Sequence, residues 1–449
     1  MKTLVIGKGL SVVPLANLLL AKGIACDVFV RDEYVEPYEV RTMLNSPEEA
    51  EVFVNTLPES VLERDSEIVV ADDMLSDEAV VTELRALGHR VIGENELAYT
   101  YDRGRVVAVA GTRGKTGCTA LLGRIIRDKT RNAFIVGEPG TYSDAVYSTT
   151  RDSTTIVRMS EEQLEVTDTF HPVVSTIINI KPQKDTKLPF DEYVKLQEKI
   201  TANQNSKDRV ILNYEDDLTR HLGMKLDEMP DAPRPFFFSV HRELKKGLFL
   251  QHGSIILRDG WGERELMKTS DLKIVGNHNL ENAFAAIAAA YKYGIPTDNI
   301  IRTCREFEPV AHRVELVATK NGVRFFNDSK GSDVGSAING IEAMDCPTYL
   351  IGGGYDSGAD YGEWIDSFRG KVRKLVLIGQ TREKMASCAQ DHGFYDYIFA
   401  DNLEEAVSIC KCHANPGEAV LLSPACEGRG MYKSFEDRGN AFRAIVESL

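Results

Sequence analysis

Apolar residues in this chain come in short, buried-type runs separated by segments with helical spacing, the alternation expected of strands that feed helices and return in parallel. Residues 2–6 form the first run. Gly7, Lys8, Gly9 and Leu10 then turn the chain into an apolar helix ending near Gly23, and a second strand spans 25–30. Runs at 66–72 and 89–93 predict two more parallel strands and carry the first segment to residue 99. The second segment, 100–307, predicts strands at 107–110, 154–159, 174–180 and 209–213, a helix over 190–203 and a turn-punctuated alternating stretch at 236–267. An asparagine-rich entry at 277–282 caps a small-residue helix over 283–293. The third segment, 308–449, predicts a hairpin pairing 314–318 with 324–327, then strands at 348–351, 374–378 and 419–422. The expected class is α/β, with hinges near Asp102 and Pro309.

The strand at 107–110 leads into Gly111, Thr112, Arg113, Gly114, Lys115, Thr116 and Gly117, a glycine-bracketed loop with Lys and Thr where a helix begins. Small residues let backbone N–H groups point at phosphate oxygens, Lys115 adds positive charge, and the Thr116 hydroxyl can ligate Mg2+, so the loop points to ATP. It is shorter than GxxxxGKT, since only Thr112 and Arg113 separate its two glycines. A tight strand-to-helix turn with a solvated lysine would use the same residues. The glycine turn of the first segment fits a dinucleotide site poorly, because Val12 stands where a third glycine is needed and Asp32 lies beyond the end of the second strand. In the third segment, three strands end in loops with chemistry, at 327–332, 352–356 and 423–426, which predicts one shared cleft at the carboxyl ends of the sheet. For Asn279 and Asn282, plain helix capping competes with ligand binding.

With 449 residues, 43% of them hydrophobic, the chain exceeds what one core usually holds and suggests roughly three domains. A formal charge of -15 opposes general binding to nucleic acid or anionic membrane, so an anionic substrate must meet local cations. Eight scattered cysteines and a start directly on a strand point to a reducing, cytoplasmic setting, and no apolar run reaches membrane-spanning length. Cys410, Cys412 and His413 lack the second pair that a metal site would need.

Several motifs in order resemble the Mur ligases of cell-wall peptide synthesis, a family that includes folylpolyglutamate synthase. They are the 111–116 loop; Ser160, Gln163, Leu164 and Glu165; His278, Asn279 and Asn282; Ala311, His312 and Arg313; Asn327, Asp328, Ser329 and Lys330; and, most specifically, 422–426 with Phe435, Glu436, Arg438 and Gly439. The resemblance spans essentially the whole chain. It implies a Rossmann-like N-terminal domain for a nucleotide-linked acid, a central P-loop ATPase-like domain and a Rossmann-like C-terminal domain for an amino acid. The implied reaction is ADP-forming amide synthesis through an acyl phosphate, with ATP and Mg2+, D-glutamate the simplest amine, small-molecule partners and a monomeric chain. By motif position Asn279 and Asn282 contact the nucleotide, Arg313, Asp328 and Lys330 close over it, and His312 and Ser332 lie near the amino acid. Leu10, Ser11, Ser160, Gln163, Ser423 and Tyr432 fall at substrate positions.

The chain also departs from the family pattern. Arg158 stands where a magnesium-ligating Glu is expected, and a guanidinium cannot coordinate a cation. No His occurs in 179–185, where Lys184 is instead available, and Gln197 aligns with a carbamylated Lys, with Lys195 or Lys199 available if the register slips. Either Arg158 and Lys184 replace metal charge, leaving one magnesium on Thr116 and bridging phosphates, or catalysis has been lost. Glu138 replaces an Asn on the sugar side and would repel an acidic precursor. Residues 354–358 lack an expected Lys, while Arg429 or Lys433 could hold an acidic amino acid. The readings left open are a D-glutamate ligase, a paralogue joining another acid and amine, and a catalytically silent nucleotide-binding subunit.

Overall fold

The computed structural model describes residues 2–32, 34–64, 67–75, 78–182, 188–273, 277–308 and 311–449; of Arg64, Glu78, Ala79, Val80, Asn277 and His278 it describes the backbone. Lys184 and the expected hinge at Pro309 lie outside these residues. Among the described residues the strands form three sheets.

The first sheet has five parallel strands in the order Ala50–Val54, Cys26–Val30, Thr3–Gly7, Glu67–Val70 and Arg90–Gly93. Thr3–Gly7 is buried throughout, as its run of apolar residues requires. Chain order reverses between Thr3–Gly7 and Glu67–Val70, so the loops after these two strands open side by side. Ala50–Val54 escapes the hydrophobic pattern because it is an edge strand with Glu51 exposed.

The middle sheet runs Gly262–Lys268, Ser254–Asp259, Gly247–Gln251, Arg234–Ser239, Arg209–Asn213, Val174–Ile177, Arg105–Ala110, Thr154–Arg158 and Ala133–Val136. Its first three strands pair antiparallel and the rest parallel. Arg105–Ala110 lies between two parallel neighbours and is buried from Val106 onward. The third sheet runs Glu315–Lys320, Val323–Asn327, Ala419–Leu422, Thr348–Gly352, Val372–Leu377 and Tyr397–Phe399, with an antiparallel hairpin at one edge and parallel pairs elsewhere. The helix expected over 190–203 ends as Phe190–Glu198 and tightens into a 3-10 turn, Lys199–Thr201.

These sheets fall into two compact units, Met1–Asp271 with Glu281–Glu306, and Leu272–Leu280 with Phe307–Leu449. In the first unit one apolar core runs continuously from Val5, Leu15 and Leu18 under the first sheet to Tyr142, Leu164 and Tyr193 under the middle one. The helix Glu94–Tyr101 completes that join with two buried carboxylates. Glu94 accepts from the backbone N–H groups of Gly140 (2.6 Å), Tyr142 (3.0 Å) and Ser143 (2.9 Å). Glu96 accepts from those of Asp168 (2.9 Å), Thr169 (2.6 Å) and Phe170 (3.0 Å). Multiple charge-assisted bonds are what make such burial tolerable. No helix of the described residues is long and apolar enough to cross a membrane.

Candidate active site

The strand Arg105–Ala110 delivers Gly111 and Gly114 at positive φ, 130° and 89°, into the helix Lys115–Thr130. Gly114 cannot be larger, because a Cβ there would stand 2.0 Å from Asn282 Oδ1. The loop is braced by neutral groups. Asn179 accepts from Thr112 N through its backbone oxygen (3.0 Å) and from Arg113 N through its side chain (2.9 Å), while its amide nitrogen donates to Arg113 O (3.2 Å). Gln197, 1% exposed, accepts from Gly111 N at 3.0 Å. The hydroxyls of Tyr193 and Thr112 lie 3.0 Å apart, and Lys181 N donates to the latter (2.9 Å).

Lys115 donates to the carbonyls of Gly111 (2.6 Å) and Thr112 (3.3 Å). Burial holds its pKa below the ordinary value; Glu161 acts against that shift and Arg158 adds to it. Lys115, Thr116, Gly117 and Asn282 thus meet around the first turn of a helix whose leading N–H groups and dipole favour an anion. Asn279, half-buried, lies one turn before Asn282 in the helix Asn277–Tyr293, and Arg113 is exposed on the loop.

Two departures noted in the sequence are partners. The Arg158 guanidinium donates to Gly137 O (2.8 Å) and pairs with the Glu138 carboxylate (2.8 Å), so the repulsion expected of Glu138 is offset locally. Gln163 is likewise occupied: its oxygen accepts from Ser160 N (2.8 Å) in a capping box and its amide nitrogen donates to Asp72 Oδ2. Burial, then the Glu94 carboxylate, push Asp72 up to about 7, against the Gln163 bond, and Arg158 also opposes the rise. Asp72 Oδ1 is buried without a hydrogen-bond partner. Leu10 is exposed, and Ser11 Oγ donates to Lys8 O at 2.7 Å.

In the second unit the loop after Val323–Asn327 is tied inward. Asp328 accepts from Val314 N (3.1 Å) and Ser423 Oγ (2.7 Å), and burial pushes its carboxyl up to about 7, with Ser423 and Arg313 acting the other way. His312 is buried with Nδ1 2.9 Å from Asn327 Nδ2, and burial lowers its pKa. Lys330 sits over the Phe435 ring, 5.4 Å from its centre. Arg438, 1% exposed, donates to Ser329 Oγ (2.9 Å), Ser329 O (2.7 Å) and Cys426 O (2.8 Å), knitting two of the three expected loops together. Ser332 Oγ lies 3.4 Å from Lys330 O, Arg429 pairs with Glu427 (2.8 Å) at the surface, and Tyr432 is half-buried.

Sequence reasoning missed Asn179, Tyr193 and Glu94 as supports, and read Gln197 only as a missing lysine. A polar residue interrupting the apolar run at the end of a buried strand, as Asn179 does between Ile178 and Ile180, is the signal that was available. A backbone-bracing Gln inside a helix leaves no such mark.

Residues 109–290 match the Mur ligase middle domain, and residues 312–426 the glutamate ligase domain of Mur ligases. The chain is 38% identical to a UDP-N-acetylmuramoylalanine--D-glutamate ligase of Lachnoclostridium phytofermentans, over 100% of this chain and 98% of that one. It is also 38% identical to the ligase of the same name from Lachnospira eligens, over 99% and 98%. Solved structures share the fold at low identity. MurF from Acinetobacter baumannii has a TM-score of 0.60 at 15% identity, covering 94% of this chain and 91% of that one. A pseudomurein peptide ligase type C from Methanothermus fervidus has a TM-score of 0.56 at 16%, with both chains fully covered. With two Mur ligase domains matched, a three-sheet α/β fold and full-length relatives of this kind, the chain belongs to the Mur ligase family.

Proposed function

We propose that this chain is a cytoplasmic, ATP-dependent, ADP-forming amide ligase that adds D-glutamate to UDP-N-acetylmuramoyl-L-alanine in peptidoglycan synthesis, through an acyl phosphate. The braced 111–116 loop with Lys115 at a helix start carries this reading, in a chain similar from end to end to relatives named for that reaction. Its working division is 1–99 for the nucleotide-linked acid, 100–307 for ATP and 308–449 for the amino acid.

The residues suit ATP and Mg2+. Gly111 and Gly114 hold the turn open by positive φ, and Lys115 sits where it can exchange loop carbonyls for phosphate oxygens. Among the described residues no three His, Cys, Asp or Glu cluster to hold a metal. Thr116, at the start of the helix Lys115–Thr130, would be the protein ligand of a magnesium that otherwise keeps phosphate and water oxygens, the ligands this hard cation favours. When bound, ATP supplies the phosphoryl group that activates the acid, and Mg2+ neutralises its phosphates. The chain's part is positioning and charge: loop amides orient the phosphates, Lys115 offsets negative charge, and Arg158 adds a second cation nearby. Lys184, His312 and Lys330 are the further catalytic candidates.

The test is phosphate release from Mg-ATP with UDP-N-acetylmuramoyl-L-alanine and a panel of amino acids. Release that requires both the precursor and D-glutamate supports the reading. Release with another pair would favour a paralogue with a different acid and amine, the reading to which the Glu138–Arg158 pair points. ATP binding without release for any pair would leave a silent subunit.

A further inference from the structure

The first sheet has its own glycine turn, and its surroundings differ from those of the phosphate loop. Chain order reverses between Thr3–Gly7 and Glu67–Val70, and ligands of open α/β sheets bind in the crevice beyond such a reversal. After Thr3–Gly7 the backbone passes Lys8, reaches Gly9 at φ 54° and winds through Gly9–Ser11 into the helix Val12–Ala21. This is where amide groups would meet an anion. Here the Lys8 N–H donates to Asp73 Oδ1 at 3.1 Å. Asp73 comes from the loop after the neighbouring strand, in the helix Asp72–Leu75. A second carboxylate lies close by, since Asp32 Oδ2 is 3.4 Å from where a Cβ on Gly9 would stand.

We propose that Asp73 is an internal competitor for the diphosphate of the acid substrate, a specificity-determining carboxylate that weakens binding of diphosphate-linked ligands at this crevice. The proposal rests on the reading that the first domain takes the nucleotide-linked acid. A phosphate oxygen that accepts the Lys8 N–H must displace the Asp73 carboxylate, and then sits beside it as a like charge. Asn at this position keeps an acceptor for the N–H and removes the charge. Ala removes both.

The experiment is calorimetric titration of the full chain with UDP, for wild type, Asp73→Asn and Asp73→Ala, alongside KM for UDP-N-acetylmuramoyl-L-alanine and for ATP. Asp73→Asn is expected to tighten UDP binding on the order of tenfold and to lower the precursor KM in step, with the ATP KM unmoved. Raising ionic strength should narrow the gap between wild type and variant. Binding that appears only in the variants also supports the proposal. If Asp73 merely holds the loop, Asp73→Ala weakens UDP binding and Asp73→Asn leaves it unchanged, which overturns the proposal while the first-domain reading stands. If UDP binds no form at millimolar concentration while ATP still binds, both fall.

Discussion

Two strands of the first unit, Thr3–Gly7 and Arg105–Ala110, each end in a glycine turn that starts a helix, yet the two turns are furnished in opposite ways. Around Gly111 and Gly114 the braces are neutral, the Asn179 and Gln197 amides and the Tyr193 hydroxyl, with the Asn282 amide beside Gly114 and the Lys115 ammonium bonded to the loop carbonyls. Around Gly9 the neighbours are the carboxylates of Asp73 and Asp32. Glycines supply room and backbone angle in both places. What enters is decided by side chains that neighbouring loops and helices bring in, tens of residues away in sequence.

The sharpest way to break that contrast is to remove the cation. Lys115→Ala should cut phosphate release at least about 100-fold, the scale of losing a charge that stabilises a phosphoryl transition state. Its thermal unfolding should stay near that of wild type, because the lost bonds go to loop carbonyls. Turnover within a few-fold of wild type would reduce the loop to an ordinary turn.

Removing a neutral brace should cost less. Gln197→Leu leaves the buried Gly111 N–H without its acceptor, a penalty of about 1–3 kcal/mol. We expect the ATP KM to rise roughly tenfold or more, with a smaller fall in kcat, in steady-state kinetics. An unchanged KM would show that Asn179 and Tyr193 hold the loop alone.

The smallest effect concerns acidity beside the first turn. Asp72 has its folded pKa raised from 3.8 to about 7, so its contribution to stability is fully present below about pH 4 and is lost as pH rises through 7. The melting temperature should therefore fall across pH 5 to 7.5 more steeply in wild type than in Asp72→Asn. Parallel curves would mean that Asp72 titrates as an ordinary carboxylate. Asp328, also raised to about 7, loads the second unit in the same direction, so the difference between the two proteins is the quantity to read.

Most strands were legible because they are buried on both faces and appear as unbroken apolar runs, as in Thr3–Gly7 and Arg105–Ala110. Ala50–Val54, Ala133–Val136 and Tyr397–Phe399 were not, since all three lie at sheet edges where exposed residues interrupt the run. The loop chemistry at 111–117 could be read locally because glycine, lysine and threonine act where they stand. The pairings could not. Nothing local in Arg158 shows that it will find Glu138, or in Asp73 that it will reach Lys8 across 65 residues. Ser423 and His312 also stand at motif positions, and in the fold their side chains spend their hydrogen bonds on Asp328 and Asn327.

The helix Glu94–Tyr101 has a consequence for how this chain can be cut. Glu94 and Glu96 lie at the tail of the first segment, but among the described residues the six backbone donors to their carboxylates come from residues 140–170. A fragment ending at residue 99 would carry two carboxylates stripped of six backbone donors, together with an apolar face that normally continues into the middle sheet. The boundary visible in the sequence is therefore a change of topology and not a seam: the first two sheets should melt as one cooperative body, and a genetic split there should yield no independently folding piece.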